Sequence, residues 1–138
     1  TTANQKIEIR PVLDSHRILF HQELVKRVVI APHVQDFAIR CVLATHPQGI
    51  FAVPLVNQYL RFGASPRAAQ AITLASKVRA LLDGRFHVSF QDIKDVAIPA
   101  MRHRIIMNFE GEAEGITSDR VLEAVLSDTP LSLDGQNK

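Results

Sequence analysis

Apolar side chains recur at spacings of three and four residues through most of this sequence, which is the period of an amphipathic helix. The pattern predicts helices over about 14–26, 32–45, 55–62, 66–83, 90–98 and 118–127. No pair of long alternating strands competes with them. We therefore predict an all-α fold, a small helical bundle of about five helices behind an N-terminal connector.

The span 66–83 carries the clearest start and stop signals. Ser65 is predicted as the N-cap, Pro66 as the first helical residue and Gly84 as the residue just past the end. Its predicted buried stripe is Ala68, Ala71, Ile72, Ala75, Val78 and Leu82.

The other spans have weaker boundary signals. Asp14 can cap the first helix, Ser89 with Asp92 resembles a capping box, and Pro99 is predicted to end that helix. Short extended ties are predicted near 28–30 and 104–109. The acidic segment 110–115 is predicted to be a loop, and Thr117 or Ser118 to cap the last helix.

The chain of 138 residues is long enough for one domain with an appendage. We assign 1–31 to a connector with the first helix, 32–127 to the helical domain and 128–138 to a tail that we expect to be disordered. The first residue is Thr, so we expect a piece of a longer protein. No run approaches the ~20 apolar residues of a membrane-spanning helix.

Composition excludes few function classes. The formal net charge is +2, and the 16 Lys and Arg residues are scattered, which gives nucleic-acid binding little support. The single cysteine, Cys41, cannot form an internal disulfide and falls on the apolar stripe of its helix. We therefore expect an inert core thiol.

Motifs for autonomous catalysis are missing from the sequence. None of the five lysines follows a glycine, so there is no Walker A loop, and no strand ends in the acidic pair of a Walker B motif. The six histidines show no metal-ligand spacing, so we expect no metal site. No serine lies in a Gly-x-Ser-x-Gly turn. The chain alone should have no enzymatic activity.

Arg67 is the unusual residue, because it lies in the first turn of the strongest helix. A helix N-terminus is already positive, which disfavours a cation there. One interpretation is an anion site, in which a phosphate meets both the helix N-terminus and the guanidinium. The other is a surface arginine whose stem packs over neighbouring alanines. The spacing alone leaves both open.

Four motifs in order resemble the C-terminal helical lid domain of the MoxR family of AAA+ ATPases. They are Gly-Ala-Ser-Pro-Arg-Ala at 63–68, Leu-Leu-Asp-Gly-Arg at 81–85, Val-Ser-Phe-Gln-Asp at 88–92 and Arg-His-Arg at 102–104. The resemblance is close over 60–106 and looser over 11–46. One departure is Ala44-Thr45-His46, where the family often has Ala-Thr-Arg.

The resemblance implies that Arg67 is the sensor 2 arginine, supported by Gly63, Ala64, Ser65 and Pro66 at the helix start. Such a lid closes over ATP and Mg²⁺ held in an upstream AAA+ core domain, so the lid itself would bind no cofactor stably. The parent would be a cytoplasmic, hexameric, chaperone-like ATPase that remodels or matures partner proteins. A von Willebrand factor A domain protein is among the partners that the resemblance implies.

Two other features stay open. Arg85 could cap the preceding helix or face a neighbouring subunit, and residues 102–104 could form a satisfied polar cluster or a subunit contact. The alternative function is a free-standing helical adaptor or helix-turn-helix DNA-binding module, built on the helices that flank Gly84. Outward acids at Asp92 and Asp95 would repel phosphates and argue against DNA binding.

Overall fold

The computed structural model describes residues 10–132, which form seven α-helices and two short strands. In chain order these are α1 (Ser15–Lys26), α2 (Pro32–Leu43), α3 (Pro54–Tyr59), β1 (Leu60–Phe62), α4 (Arg67–Leu82), α5 (Phe90–Met101), β2 (Ile106–Met107), α6 (Phe109–Ala113) and α7 (Ser118–Asp128). The prediction of a small helical bundle is confirmed, although the helices are more numerous than expected.

Helix α4 is the centre of the bundle. It packs most extensively on α5 and also contacts α1 and α2, while α7 lies against α3 and α5. Strands β1 and β2 pair antiparallel, with Phe62 opposite Ile106. Val29 pairs with His87 in a parallel bridge, which confirms the extended tie near 28–30.

The predicted buried stripe of α4 is wrong in part. The buried residues are Ala68, Ile72, Ser76 and Ala80, whereas Val78 is 39% and Leu82 is 76% exposed. The buried set is one i, i+4 row of mostly small side chains. Rows of this kind interdigitate with a neighbouring helix, and small residues let the two helices approach closely. The buried face of α4 is therefore set by packing against the neighbouring helices, most extensively α5, and the larger apolar side chains of α4 do not by themselves predict it.

Three boundary predictions also change. Residues 60–62 are a strand, because Phe62 pairs with Ile106 across the sheet. Pro99 lies inside α5, which continues to Met101. The acidic segment begins in helix α6, because the Asn108 side chain accepts a hydrogen bond from the Gly111 N–H and caps it.

The start of the predicted tail is held against the bundle. The buried Arg40 side chain donates to the carbonyl oxygens of Pro130 and Leu131, at 3.2 and 2.7 Å. Thr129 is buried at 5% exposure. Residues 133–138 of that tail lie outside the described part of the chain, as do residues 1–9 of the connector.

Cys41 lies in α2 and is buried in the core with no exposed surface. Burial disfavours the thiolate and raises the pKa of Cys41 to about 12. We expect a thiol reagent to modify the native protein at least ~100-fold more slowly than the protein unfolded in guanidinium, because reaction requires opening of the core. Stopped-flow labelling measures both rates, and equal rates would contradict the burial of this thiol.

Candidate functional site

Arg67 is the first residue of α4, and its side chain is exposed. Within residues 10–132, its guanidinium makes no hydrogen bond and no ion pair. The first turn of α4 contains no acidic residue. An exposed cation therefore stands beside a positive helix terminus, and no carboxylate in that turn compensates either charge.

The segment before Arg67 differs from the predicted cap. Pro66 has helical backbone angles and occupies the N-cap position, and no side chain caps the helix. The prediction that the Ser65 side chain caps α4 is therefore wrong. The carbonyl oxygen of Ser65 accepts a hydrogen bond from the Ala68 N–H at 2.8 Å. The Ser65 carbonyl, and not its hydroxyl, therefore accepts a hydrogen bond from an N–H in the first turn of α4.

A buried hydroxyl from another element fixes this segment. The Thr45 Oγ1 donates to the Val42 carbonyl at 2.6 Å and accepts from the Ala64 N–H at 2.9 Å. Thr45 follows α2 and is fully buried, as is Ala64. The chain that leads into α4 is therefore hydrogen-bonded to the C-terminal end of α2.

Gly63 makes the closest backbone approach in this region. A Cβ atom at Gly63 would lie 2.6 Å from the Thr45 carbonyl oxygen and 2.8 Å from its Oγ1. Real Cβ atoms do not come that close to other heavy atoms, so only glycine fits. Gly63 and Ala64 thus bring the start of α4 against α2, which sets where Arg67 emerges.

Sequence reasoning missed Thr45. The hydroxyl and the amide that it accepts from are 19 residues apart, and no periodicity links them. The only available signal was the Ala-Thr pair at the end of the second helix, to which the family resemblance attached no role. The predicted supporting residues Gly63 and Ala64 do lie beside Arg67, but their contacts run to α2.

A second cluster locks the other end of α4 onto α5. Arg85 binds both carboxylate oxygens of Asp92, at 2.8 and 2.6 Å, and also contacts Asp83 at 3.1 Å. Ser89 and Asp92 form the predicted capping box, with the Ser89 N–H donating to Asp92 at 2.7 Å. The Arg85 side chain therefore forms an intramolecular ion pair with a nearly buried carboxylate and caps no carbonyl of α4. The backbone N–H of Arg85 does cap α4, because it donates to the Ala80 carbonyl at 2.8 Å.

The charge on Asp92 is strongly stabilised. The hydrogen bonds from Arg85, followed by those from Ser89, lower the pKa of Asp92 from 3.8 to about 2 despite its burial. A carboxylate with a depressed pKa stabilises the fold above its ordinary pKa. That stabilisation disappears as the pH falls through the depressed value.

We expect Asp92→Asn to reduce the acid sensitivity of the fold. Between pH 5 and pH 2, the free energy of unfolding of the unmodified chain should lose about 2 kcal/mol through Asp92, and the variant should not show this loss. Urea unfolding at the two pH values measures the difference. The same loss in both proteins would show that Asp92 is not the group responsible.

Residues 102–104 are largely satisfied within the chain. Arg102 forms a two-point ion pair with Asp119 of α7, at 2.7 and 2.6 Å, and Arg104 donates to the Ala100 carbonyl at 3.0 Å. These contacts fit the polar-cluster interpretation for the two arginines. His103 is exposed.

Residues 10–132 contain neither a candidate metal site nor a membrane-spanning helix. No three His, Cys, Asp or Glu side chains come together in a group that could hold a metal ion. None of the helices described is long and apolar enough to cross a membrane.

Known proteins resemble this chain in sequence and in structure. The AAA lid domain family matches residues 54–125. Chaperone MoxR1 of Mycobacterium tuberculosis is 29% identical over 90% of this chain and 33% of its own length. The uncharacterized protein YeaC of Bacillus subtilis is 26% identical over 86% of this chain and 34% of its own length.

A solved structure shows the same architecture. The crystal structure of a "putative ATPase" from Cytophaga hutchinsonii superposes with a TM-score of 0.83 at 29% identity. The superposition covers 92% of this chain and 39% of the other chain. The chain thus spans between a third and two fifths of the length of these relatives. It belongs to the AAA lid domain family, and it is a lid domain of the MoxR-like AAA+ ATPase type.

Proposed function

We propose that this domain closes over ATP bound in an upstream AAA+ core domain and that Arg67 contacts the γ-phosphate as the sensor 2 residue. The observation that carries this proposal is that Arg67 is exposed and unpaired at the start of α4 among the described residues. Its side chain is exposed, it has no anionic partner among the described residues, and it lies at the start of a sixteen-residue helix. A phosphate at this position would meet a guanidinium together with the positive end of α4.

The surroundings of Arg67 also suit a nucleotide. An apolar concavity of about 350 Å³ lies between α2 and the start of α4. Its walls include Leu43, His46, Pro66 and Ala69. Such apolar walls would suit the flat base of a nucleotide, and Arg67, the residue after Pro66, would then meet its charged part. Mg²⁺ and the residues that hold it would belong to the core domain, since the described residues contain no candidate metal group.

Arg67 would make the position of the lid depend on whether ATP or ADP is bound. A γ-phosphate attracts the guanidinium, and its release as inorganic phosphate removes that attraction. The lid would then favour different positions in the ATP and ADP states, because a ligand shifts an equilibrium only by its differential affinity for the two states. Residues 1–31 would act as the connector that permits this movement.

We also propose a wider role for the parent protein, in line with its family. The parent would be a cytoplasmic ATPase whose subunits form a hexamer, and hydrolysis would drive the remodelling or maturation of partner proteins. The name of the MoxR1 relative, a chaperone, supports this direction. A von Willebrand factor A domain protein is the partner class that we propose to test first.

ATP turnover by the full-length protein tests the sensor role. Arg67→Ala should reduce turnover sharply while the lid keeps its fold, and near-normal turnover would contradict the proposal.

Arg85, the cation nearest the turn at Gly84, does not support the helix-turn-helix alternative, because carboxylates already bind it. Arg85 is engaged by Asp92 and Asp83, and Asp95 on the exposed side of α5 pairs with Arg79 at 3.4 Å. Phosphate binding there would have to compete with these carboxylates. A salt-dependent titration with duplex DNA separates the two functions, since tight and salt-sensitive binding would favour the alternative.

A further inference from the structure

We propose that Thr45 is the positioning residue for Arg67, an inference that rests on the sensor role proposed above. Thr45 lies at the C-terminal end of α2, and Arg67 begins α4. The Thr45 hydroxyl is the side-chain group that joins these two helix ends, through its bond to the Ala64 N–H.

The hydroxyl is held in one orientation. Its proton is directed to the Val42 carbonyl at 2.6 Å, which leaves its lone pairs to accept from the Ala64 N–H at 2.9 Å. All the atoms lie in the core, where Thr45 and Ala64 have no exposed surface. A buried amide that lost this acceptor would have to find another, because an unsatisfied buried N–H is unfavourable.

The segment can relieve such a loss in only one direction. The space between Gly63 and Thr45 is too small for even a Cβ atom, which would lie 2.6 Å from the Thr45 carbonyl oxygen, so there is little room for movement toward α2. Movement away from α2 would carry Ser65, Pro66 and Arg67 with it. Since two residues separate Ala64 from Arg67, a shift at the amide displaces the guanidinium. Thr45 therefore sets the position of Arg67 without touching the nucleotide.

The hydrogen bond between Thr45 and Ala64 also couples the position of α2 to the position of Arg67. Any movement of the C-terminal end of α2 relative to α4 would move the hydroxyl and the chain that it holds. Arg67 would then report on the nucleotide while responding to the packing of α2. Geometry-dependent catalysis is sensitive to displacements of this kind, because a misplacement of about 1 Å can cost about 100-fold in rate.

The test compares Thr45→Val with Thr45→Ser in the full-length protein, with ATP turnover and thermal unfolding as readouts. Valine removes the hydroxyl and keeps the branched shape, whereas serine keeps the hydroxyl and removes the methyl group. We expect turnover to fall roughly tenfold or more in Thr45→Val and to stay within about twofold in Thr45→Ser. If Thr45→Val does not fold, Thr45→Ala supplies the variant without a hydroxyl.

A double-mutant cycle separates positioning from a general packing role. If Thr45 acts through Arg67, Thr45→Val should cause no further loss of turnover in the Arg67→Ala background. Multiplicative losses, or equal losses in the serine and valine variants, would overturn the inference. A normal rate for Arg67→Ala alone would instead defeat the sensor role itself, so the two failures are distinguishable.

Discussion

Arg67→Ala in the full-length protein should reduce ATP turnover at saturating ATP by at least ~100-fold. The guanidinium would stabilise charge on the transferring phosphoryl group, and loss of a single such donor typically costs two to three powers of ten in rate. The melting temperature of this 138-residue chain should change by no more than about 2 °C, because the side chain is exposed and has no partner among the described residues.

Two further variants make this result specific. Arg120→Ala is the matched control, because Arg120 is also an exposed arginine in the first turn of a helix, but that helix packs on α3 and α5. Its turnover should stay normal. Arg67→Lys should recover only part of the rate, since lysine keeps the charge and loses the planar two-point donor. Equal losses in Arg67→Ala and Arg120→Ala would point to a general charge effect.

Gly63→Ala should destabilise the fold substantially although it adds only one methyl group. The added Cβ would meet the Thr45 carbonyl oxygen, its carbonyl carbon and its Oγ1 at 2.6, 2.7 and 2.8 Å. Two of these three atoms are backbone and cannot rotate away. We expect the free energy of unfolding of this chain to fall by about 2–3 kcal/mol, measured by urea denaturation.

Ser65→Ala is the matched control, two residues further along the same segment. Ser65 is exposed and its side chain does not cap α4, so the variant should stay within about 0.5 kcal/mol of the original chain. A cost near 1 kcal/mol would restore the capping role that the sequence predicted for this hydroxyl. If instead Gly63→Ala were as stable as the original, the close approach to Thr45 would not constrain the site.

The sequence predicted the ends of helices well where a side chain caps backbone groups only a few residues away. Asp14 caps α1, Ser89 and Asp92 form a capping box, and Thr117 caps α7. Gly84 has a positive φ of 72° just past α4, as its position predicted. Each of these interactions spans at most a few residues, which is the range that sequence patterns report.

Features that depend on contacts between distant parts of the chain could not be predicted from sequence patterns. The burial of Ser76 and the exposure of Leu82 depend on how the neighbouring helices pack on α4, and the anchoring of Ala64 depends on a threonine that follows α2. The acidic segment 110–115 looked like a solvated loop, yet Tyr59 donates to Glu114 at 2.9 Å and Gln58 to Glu110 at 3.0 Å. Exposure of Arg67 likewise could not be deduced from its spacing.

A structure of the full-length protein with a non-hydrolysable ATP analogue would show directly whether Arg67 contacts the γ-phosphate. We expect the guanidinium of Arg67 to lie within about 3 Å of a γ-phosphate oxygen, with the Ala64 N–H still bound to the Thr45 hydroxyl. A closed, ATP-bound structure in which Arg67 points to solvent or pairs with a carboxylate would contradict it.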